Sequence, residues 1–449
     1  MRKLFLAGSA LALAVVLAAA GYGIHLLGKL DTPEFRKSLL DQARATVGAE
    51  VRVREMDISL LSGVTLEGLA IANPAPFPGD LLTAEAFVLR YRLLPLLAGR
   101  VEVEKVALEK PALGLAMDAR GVFNYERLRA APRGTTATAA PAGAVAAPLR
   151  IVLKQLTVED ASIVVTDHRK ARLLSVEDAA FRSAFLIEGG IAQGSGEATF
   201  ARVAVADLLF VREVRSPLAL SKEAVRLAPV RGRVAGGEVA GDVTIQLERG
   251  LRYVANLEVE GADVKTLLAE ARSAGGVAGQ LAAKATFEGS GGLPTLKGRG
   301  QGTVGGCRVE NARTLAVLAA VLQVPELASP DFEQCRFEFA QAGARLSTPV
   351  VTLKGDAVRL TGRGTVNLET SGLDYQMTLA LAPKLFAKVT RPEVRPAFKP
   401  AADGFAAIDF RLYGTTLEPK TDLAWRLGRA AATEAAKSQI NRLLKQKVF

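Results

Sequence analysis

The chain has 449 residues, of which 49% are hydrophobic and 23% are charged, and its formal net charge is +11. This length accommodates two or three domains, and the composition excludes an intrinsically disordered chain. The basic excess attracts nucleic acid or anionic lipid headgroups, unless it is simply a solvated surface.

The first element is an apolar segment, Leu4–Leu27, which contains no Lys, Arg, Asp or Glu. A helix of this length spans ~36 Å, which exceeds a bilayer core of roughly 30 Å. Arg2 and Lys3 place the preceding stub in the cytoplasm, so we expect a single-pass membrane anchor with the rest of the chain exported. The alternative is a signal peptide cleaved after the small residues Ala18–Ala20, which also implies export.

A short helix is predicted just outside the membrane, over residues 31–48. Thr32 is a suitable cap, Pro33 suits the first position, and Gly48 supplies the stop. Four apolar residues fall on one face at a spacing of four, which is typical of an amphipathic helix: Phe35, Leu39, Ala43 and Val47.

From Val51 onward the apolar period changes from 3.6 to 2, which predicts short strands with one apolar face each. Helical patterns interrupt them at residues 263–276 and 311–324. Residues 130–148 are rich in Ala, Pro and Thr and contain one large aliphatic residue, so they predict a linker or a long loop. The clearest alternating runs are Val51–Arg54, Phe87–Leu93, Val101–Glu104 and Leu113–Met117.

A count of about 20 strands at ~4.8 Å spacing would extend one flat sheet to roughly 100 Å, and open sheets of that size curl or split. Few helices are available to cover the apolar faces, so either a second sheet or an apolar ligand must cover them. We therefore predict a mainly β fold: a transmembrane helix, a long curved antiparallel sheet that forms a groove, and a C-terminal amphipathic helix.

The chain ends in a basic amphipathic helix, predicted over residues 428–449. Residues 420–449 carry seven Lys or Arg and two Asp or Glu. The helix either lies on an anionic membrane, docks a partner, or covers the protein's own sheet. Its apolar stripe contains Ala436, Ile440, Leu443 and Leu444.

The sequence carries no motif of a hydrolase, a metalloprotease or a phosphate-binding loop, so we predict no enzyme, no cofactor and no metal site. His25 lies in the apolar segment, and His168 lies in a polar stretch between strand patterns. Cys307 and Cys335 are both in predicted strands, where export permits either a disulfide or free thiols. Basic residues rarely interleave with aromatic ones, which argues against a nucleic-acid partner.

The stretch Val47–Leu128 resembles the N-terminal part of the AsmA family. A membrane-adjacent helix leads into a strand, then into the G-V-x-L-x-G-L-x-I-x-N-P turn at Gly63–Pro74, followed by "LLPLLAGRVEVEKVALEKP" and "DARGVFNYERL". In the second half, the Leu-rich helix at Asn311–Val324 and "LYGTTLEPKTD" at Leu412–Asp422 are similar to the carboxy-terminal domain of that family.

The resemblance implies an inner-membrane anchor in a double-membraned bacterium and a periplasmic β-rich body. Larger relatives form groove-like sheets that carry phospholipid toward the outer membrane, so we expect phospholipid or another acyl lipid as the partner. Because the chain is short for that class, we expect an outer-membrane or periplasmic protein partner, or an oligomer. Candidate groove residues are Leu113, Leu115 and Leu360.

The alternative function is a non-catalytic periplasmic scaffold or regulator of envelope assembly, which predicts a closed core without a vacant groove. The predicted boundaries are a stub at 1–3, the anchor at 4–27, an AsmA N-terminal-like β domain at 28–129, the linker at 130–148, a middle β region at 149–275, an AsmA-like C-terminal β domain at 276–427 and the final helix at 428–449.

One local pattern indicates a different function, nucleotide binding. Gly300–Gly305 reads GQGTVG and matches the G-x-G-x-x-G fingerprint of a dinucleotide loop. The same L-x-G-R-G start occurs at Leu296–Gly300 and again at Leu360–Gly364. A repeated start followed by a β-type run predicts glycines that relieve crowding or allow a bulge in a strand.

Overall fold

The computed structural model describes nine stretches of the chain. The predicted stub, the anchor Leu4–Leu27, Thr32 and the linker at 130–148 lie outside them, as do the last sixteen residues. Within the described stretches, no helix is both long and apolar enough to span a membrane. The described stretches are 33–59, 63–92, 101–128, 150–188, 191–247, 252–273, 276–290, 292–310 and 313–433.

The protein is mainly β, as predicted. The described part of the chain contains 23 strands and five α-helices, with five short 3-10 helices between them. The α-helices are α1 (Pro33–Val47), α2 (Val264–Glu270), α3 (Arg313–Leu322), α4 (Pro383–Ala387) and α5 (423–433). The 3-10 helices are Asn124–Arg127, Leu293–Thr295, Pro325–Ala328, Pro392–Ala397 and Ala402–Gly404.

The strands are longest in the middle of the chain, where β7 and β8 each have 17 residues. The strands are β1 (Val51–Arg52), β2 (Glu55–Ser59), β3 (Gly63–Ala72), β4 (Asp80–Tyr91), β5 (Val101–Glu109), β6 (Ala112–Ala116), β7 (Arg150–Thr166), β8 (Arg172–Glu188), β9 (Ile191–Val205), β10 (Leu209–Leu220), β11 (Ala224–Val234), β12 (Gly237–Gln246), β13 (Arg252–Asp263), β14 (Val277–Ser290), β15 (Lys297–Val309), β16 (Asp331–Phe332), β17 (Gln334–Ala342), β18 (Arg345–Lys354), β19 (Val358–Asn367), β20 (Gly372–Leu381), β21 (Lys399–Pro400), β22 (Ala406–Thr415) and β23 (Pro419–Thr421).

The chain divides into two compact units. The first unit runs to Arg233 and also contains Ala240–Ala255 and Gly289–Gly292, and the second contains the remaining residues to the end of the chain.

The sheet of the first unit is mixed, which corrects the predicted antiparallel sheet. Its ladder runs β3–β4–β5–β7–β8–β9–β10, and both β5 and β6 pair with β7 in parallel. Antiparallel neighbours need only a tight turn, whereas a parallel neighbour needs a long connection. The connection from Ala116 to Arg150 is long enough to bring β7 back in the same direction as β6.

The predicted helix after the apolar segment is α1, and three of the four residues of its predicted apolar face are buried as expected, while the side chain of Phe35 lies outside the described ones. Leu39, Ala43 and Val47 are each at most 3% exposed and pack in one cluster with residues of β3 and β4. Gly48 ends the helix with a φ of +75° and donates its backbone N–H to the carbonyl of Arg44.

The sheet of the second unit is antiparallel among its described ladders, in the order β14–β15–β17–β18–β19–β20–β22–β23. The two predicted helices of this half are α2 and α3. The ends of α3 lie within two residues of the expected ones, whereas α2 ends at Glu270, six residues before the predicted end. Cys307 and Cys335 form a disulfide that joins the ends of β15 and β17. Helices α3, α4 and α5 contribute to one apolar cluster with this sheet.

Candidate functional site

The sheet of the second unit has one apolar face, which we call the unit 2 face. Because Cα partners in neighbouring strands point to the same side, the ladder registers assign every strand residue to a face. The face contains apolar residues and glycine almost throughout, with Gln341 and Thr348 as polar exceptions. Its members are Leu281, Ala283, Ala285 and Phe287 on β14; Gly298, Gly300, Gly302 and Val304 on β15; Cys335, Phe337, Phe339 and Gln341 on β17; Leu346, Thr348, Val351 and Leu353 on β18; Val358, Leu360, Gly362, Gly364 and Val366 on β19; Leu373, Tyr375, Met377, Leu379 and Leu381 on β20; and Ala406, Ile408, Phe410 and Leu412 on β22.

The opposite face of the same sheet is polar and charged. Arg411 donates two hydrogen bonds, of 2.7 and 2.8 Å, to the carboxylate of Asp374 and thereby lowers the pKa of that carboxyl group. Lys284 forms an ion pair of 2.6 Å with Glu258, and the hydrogen bond to Glu258 raises the pKa of Lys284. Such exposed pairs contribute little stability, so their main effect is to keep this face in water.

Two strands carry alternate glycines on the unit 2 face, and side chains of the neighbouring strands lie across them. A Cβ added at Gly300 would lie 2.5 Å from the ring of Phe339, and one at Gly302 would lie 2.5 Å from the ring of Phe337. On β19, a Cβ at Gly364 would lie 2.3 Å from the ring of Tyr375. The glycines therefore make room for large side chains on the same face, as the repeated start predicts.

The position of these glycines also shows whether the dinucleotide fingerprint marks a nucleotide site. Gly300–Gly305 lies inside β15, which continues as a strand to Val309. A pyrophosphate site needs a helix that begins within the glycine loop, and the next helix, α3, begins only at Arg313. The match is thus a feature of strand packing.

The unit 2 face is closed at one end. Leu379, Leu381 and Ile408 are at most 4% exposed and pack in one cluster with α3, the 3-10 helix Pro325–Ala328 and the helix α5. The cover is tight, since Leu322, Val324 and Leu327 are fully buried.

At the other end, the unit 2 face is only half-buried. The half-buried residues include aromatic and branched side chains on five strands of the sheet, β14 and β17 to β20. Large apolar side chains that a structure leaves partly exposed on one continuous face mark a binding surface. They are Phe287, Phe337, Phe339, Leu346, Val351, Val366 and Leu373.

The first unit has a second apolar face, formed by β7, β8, β9 and β10. Gly194 and Gly196 on β9 lie beside Phe185 and Ser183 of β8, which repeats the packing of the second unit. Val205 and Leu209, where β9 turns into β10, are 44% and 37% exposed. Further members of this face are Leu156, Val158, Ala161, Ile163, Val176, Ala179, Phe181, Phe200, Val203, Val211 and Val214.

The predicted groove residues have different environments. Leu360 is half-buried on the unit 2 face, between Leu353 and Leu379. Leu113 is half-buried, whereas Leu115 is only 6% exposed and lies in a closed cluster with Phe123, Tyr125 and other residues. The anchor residues Leu4 and Leu27 lie outside the described residues.

The segment that covers Leu115 is held by a buried amide. Asn124 is fully buried, and its amide donates 2.8 Å hydrogen bonds to Asn73 and to the carbonyl of Gly114. The carbonyl oxygen of the same side chain accepts from the backbone N–H of Tyr125. The sequence analysis does not predict that this segment closes over β6.

His168 lies exposed in a turn between β7 and β8. Asp167 accepts hydrogen bonds of 2.8 Å from the backbone N–H groups of Arg169 and Ala171. Its carboxylate therefore organises the turn, as expected of a polar loop.

The fold thus defines a class: a mainly β protein with long strands and a one-sided apolar sheet in each unit. Residues 1–195 match the family model of the AsmA family, which supports the predicted resemblance of the N-terminal part. No curated protein matches the chain, and no solved structure does either. The resemblance of the second half to that family stays a prediction.

Proposed function

We propose that the protein is anchored in the inner membrane, with its bulk in the periplasm, and carries phospholipid acyl chains along its apolar sheet faces. The AsmA match over residues 1–195 is consistent with a general role in envelope biogenesis and lipid transport. The observation that carries the proposal is the unit 2 face: apolar and glycine residues across seven strands, half-buried at one end, with a charged face behind them.

The physical basis is the cost of exposing hydrocarbon to water, about 0.8 kcal/mol for each CH₂ group. A continuous apolar surface removes this cost at every position along its length. Movement between positions then requires no deep binding site, so few conspicuous site residues are needed. Alternate glycines with rings across them provide such a surface on β15 and β19.

Native mass spectrometry of the gently purified full chain tests the proposal. We expect bound phospholipid in the wild type and less of it in Val351→Asp, which places a charge on the unit 2 face. Val350→Asp is the matched control, because Val350 is the neighbouring residue on the polar face and is 38% exposed. Circular dichroism checks that both variants keep their strands, and a wild type recovered without lipid would contradict the proposal.

A second candidate is a periplasmic scaffold without lipid cargo, and the closed clusters favour it. Leu115 and the helix-covered end of the unit 2 face are as buried as the residues of an ordinary hydrophobic core. This candidate predicts that the wild type and both variants are equally free of lipid.

A further inference from the structure

The hairpin turn between β9 and β10 exposes three large aliphatic side chains. Val205, Leu208 and Leu209 are 44%, 46% and 37% exposed. No other turn in the described part of the chain exposes as many large hydrophobic side chains. Hydrocarbon that is concentrated in this way on a surface marks a place that another molecule covers. We call residues Val205–Leu209 the unit 1 tip.

A polar turn lies directly beside the unit 1 tip. Residues 167–170 connect β7 to β8, and β8 is the neighbour of β9 in the sheet. Arg172, just after this turn, forms an ion pair of 3.2 Å with Asp207 of the unit 1 tip. The backbone N–H of Ala206 also donates a 3.0 Å hydrogen bond to the carbonyl of Leu173. The two turns therefore lie side by side at one end of the sheet.

A third turn, Asp118–Gly121, follows β6 at the same end. Because β6 runs parallel to β7, Ala116 lies opposite Thr166. The backbone N–H of Met117 donates a 3.0 Å hydrogen bond to the carbonyl of Thr166. The segments that follow these residues in the two strands are therefore neighbours, and Arg120 of the third turn is exposed there.

The charge that the three turns present to solvent is positive. Each of their three carboxylates already has a partner, since arginines hold those of Asp118 and Asp207 and backbone N–H groups hold that of Asp167. Aliphatic side chains beside unpaired cations suit the boundary of a bilayer with anionic headgroups, where hydrocarbon and negative charge adjoin. The exposed cations that form no ion pair with any described residue are Arg120, Arg169 and Lys170.

We propose that the unit 1 tip docks on the surface of an anionic lipid bilayer. Its three aliphatic side chains enter the boundary between headgroups and hydrocarbon, while the unpaired cations of the neighbouring turns contact lipid phosphates. A second copy of the chain fits this end less well, because its own unpaired cations would oppose these. The contact goes beyond the proposed carriage of lipid, since a docked turn requires no lipid to move.

A fluorescent label on the full chain, reconstituted in vesicles, tests this contact. The native cysteines are joined in a disulfide, so Leu208→Cys provides a single site for a nitrobenzoxadiazole dye. Doxyl groups on the acyl chains of the vesicle lipid quench the dye where it enters the membrane. We expect strong quenching in vesicles that contain phosphatidylglycerol and weak quenching in phosphatidylcholine alone, because each basic residue near an anionic surface raises binding about fivefold. The matched control is a label at Lys222→Cys, which is exposed at the other end of β10.

Charge variants of the chain labelled at position 208 test the role of the cations. Arg169→Gln combined with Lys170→Gln should remove most of the difference between the two kinds of vesicle. Lys222→Gln combined with Arg226→Gln makes the same change in net charge at the other end of β10 and the start of β11, and should leave the difference unchanged. Circular dichroism checks that every variant keeps its strands.

Three outcomes would overturn the inference. The first is a label at position 208 that the anionic vesicles do not quench, and the second is equal quenching at positions 208 and 222. The third is a dye whose emission shifts to the blue without quenching by lipid, which would indicate contact with protein, such as a second copy. The carriage of lipid is tested separately by native mass spectrometry, so none of these outcomes contradicts the proposed function.

Discussion

The unit 2 face requires glycine at these positions because of the side chains beside them and not because of backbone conformation. Gly300 and Gly302 have no positive φ, and each lies against a phenylalanine of β17. Glycine in a strand interior normally weakens the strand, so its repeated use indicates that close approach of a ring is needed there. Neighbouring rings compensate for the missing side chains on such strands.

Substitution of these glycines tests the packing. Gly300→Ala should lower the free energy of unfolding by about 1–3 kcal/mol, because its Cβ would meet the ring of Phe339 and the carbonyl of Lys284 at 2.5 and 2.6 Å. Gly305→Ala lies in the same strand, and its Cβ would meet only the carbonyl of Gln280, at 3.9 Å, so we expect a change within about 0.5 kcal/mol. Urea denaturation measures both, and equal effects would contradict the packing.

A carboxylate in the turn before the first 3-10 helix predicts a pH dependence. Hydrogen bonds from the backbone N–H of Val122, from Arg127 and from the backbone N–H of Arg120 lower the pKa of Asp118. A lowered pKa in the folded state adds stability above the unfolded pKa, and that stability is lost as the pH falls through the folded value.

We therefore expect Asp118→Asn to be less stable than the wild type at pH 7. The difference should shrink as the pH falls below about 4, the ordinary range of an aspartate. Urea denaturation at a series of pH values measures the difference. A difference that stays constant over this range would show that the charge of Asp118 is not what holds the turn.

At the scale of elements, helices close one end of the unit 2 face. The disulfide between Cys307 and Cys335 spans a separation of 28 residues, which includes α3 and the 3-10 helix Pro325–Ala328. It therefore restrains the segment that lies over the closed end. The sequence predicts the helix of residues 311–324 from its leucine spacing, but it does not show which strands this helix covers.

Removal of this disulfide should destabilise the protein. The double variant Cys307→Ala, Cys335→Ala is expected to lose about 3–4 kcal/mol, the loop-closure entropy for a loop of this length. Thermal unfolding with and without reductant measures the effect. Reductant should lower the midpoint of the wild type and leave that of the variant unchanged. A wild type whose midpoint stays the same when reductant is present during unfolding would contradict the disulfide.

Two substitutions in α5, the last described helix, test which side of the helix packs on the sheet. Leu427 is 1% exposed within the apolar cluster, whereas Trp425 is 61% exposed and has Arg429 beside its ring. We expect Leu427→Ala to cost about 2–5 kcal/mol and Trp425→Ala less than about 1 kcal/mol. Chemical denaturation measures both, and the reverse order would place the other side of the helix on the sheet.

The alternation of apolar and polar residues along the chain predicts the strands well where one face of the sheet is buried. Phe87, Leu89 and Tyr91 are buried in β4, and Arg90 between them is exposed. It does not predict which strands pair, because a pattern of period 2 is the same in parallel and antiparallel ladders. For this reason the parallel pairing of β7 was missed.

The prediction of groove residues does not distinguish an open apolar surface from a covered one, for a similar reason. Leu115 and Leu360 have the same alternating pattern, yet only Leu115 lies under a covering turn. That turn depends on the buried contact of Asn124 with Asn73, 51 residues apart in the chain. Contacts at such separations are fixed by tertiary packing, which a local pattern does not contain.

At the scale of the whole molecule, the same construction occurs in both units. Each has a sheet with one apolar face that carries alternate glycines, on β9 in the first unit and on β15 and β19 in the second. Repetition of one surface suits a ligand that moves along it, because every position then offers similar chemistry.

The most direct measurement is photocrosslinking in living cells at two adjacent positions of β17. A benzophenone side chain at Phe339 lies on the unit 2 face, and one at Glu338 lies on the opposite, polar face. Mass spectrometry of the purified chain identifies the captured molecules. We predict phospholipid crosslinked at Phe339 and none at Glu338, whereas no lipid at Phe339, or equal amounts at both positions, would contradict lipid transport along the apolar face.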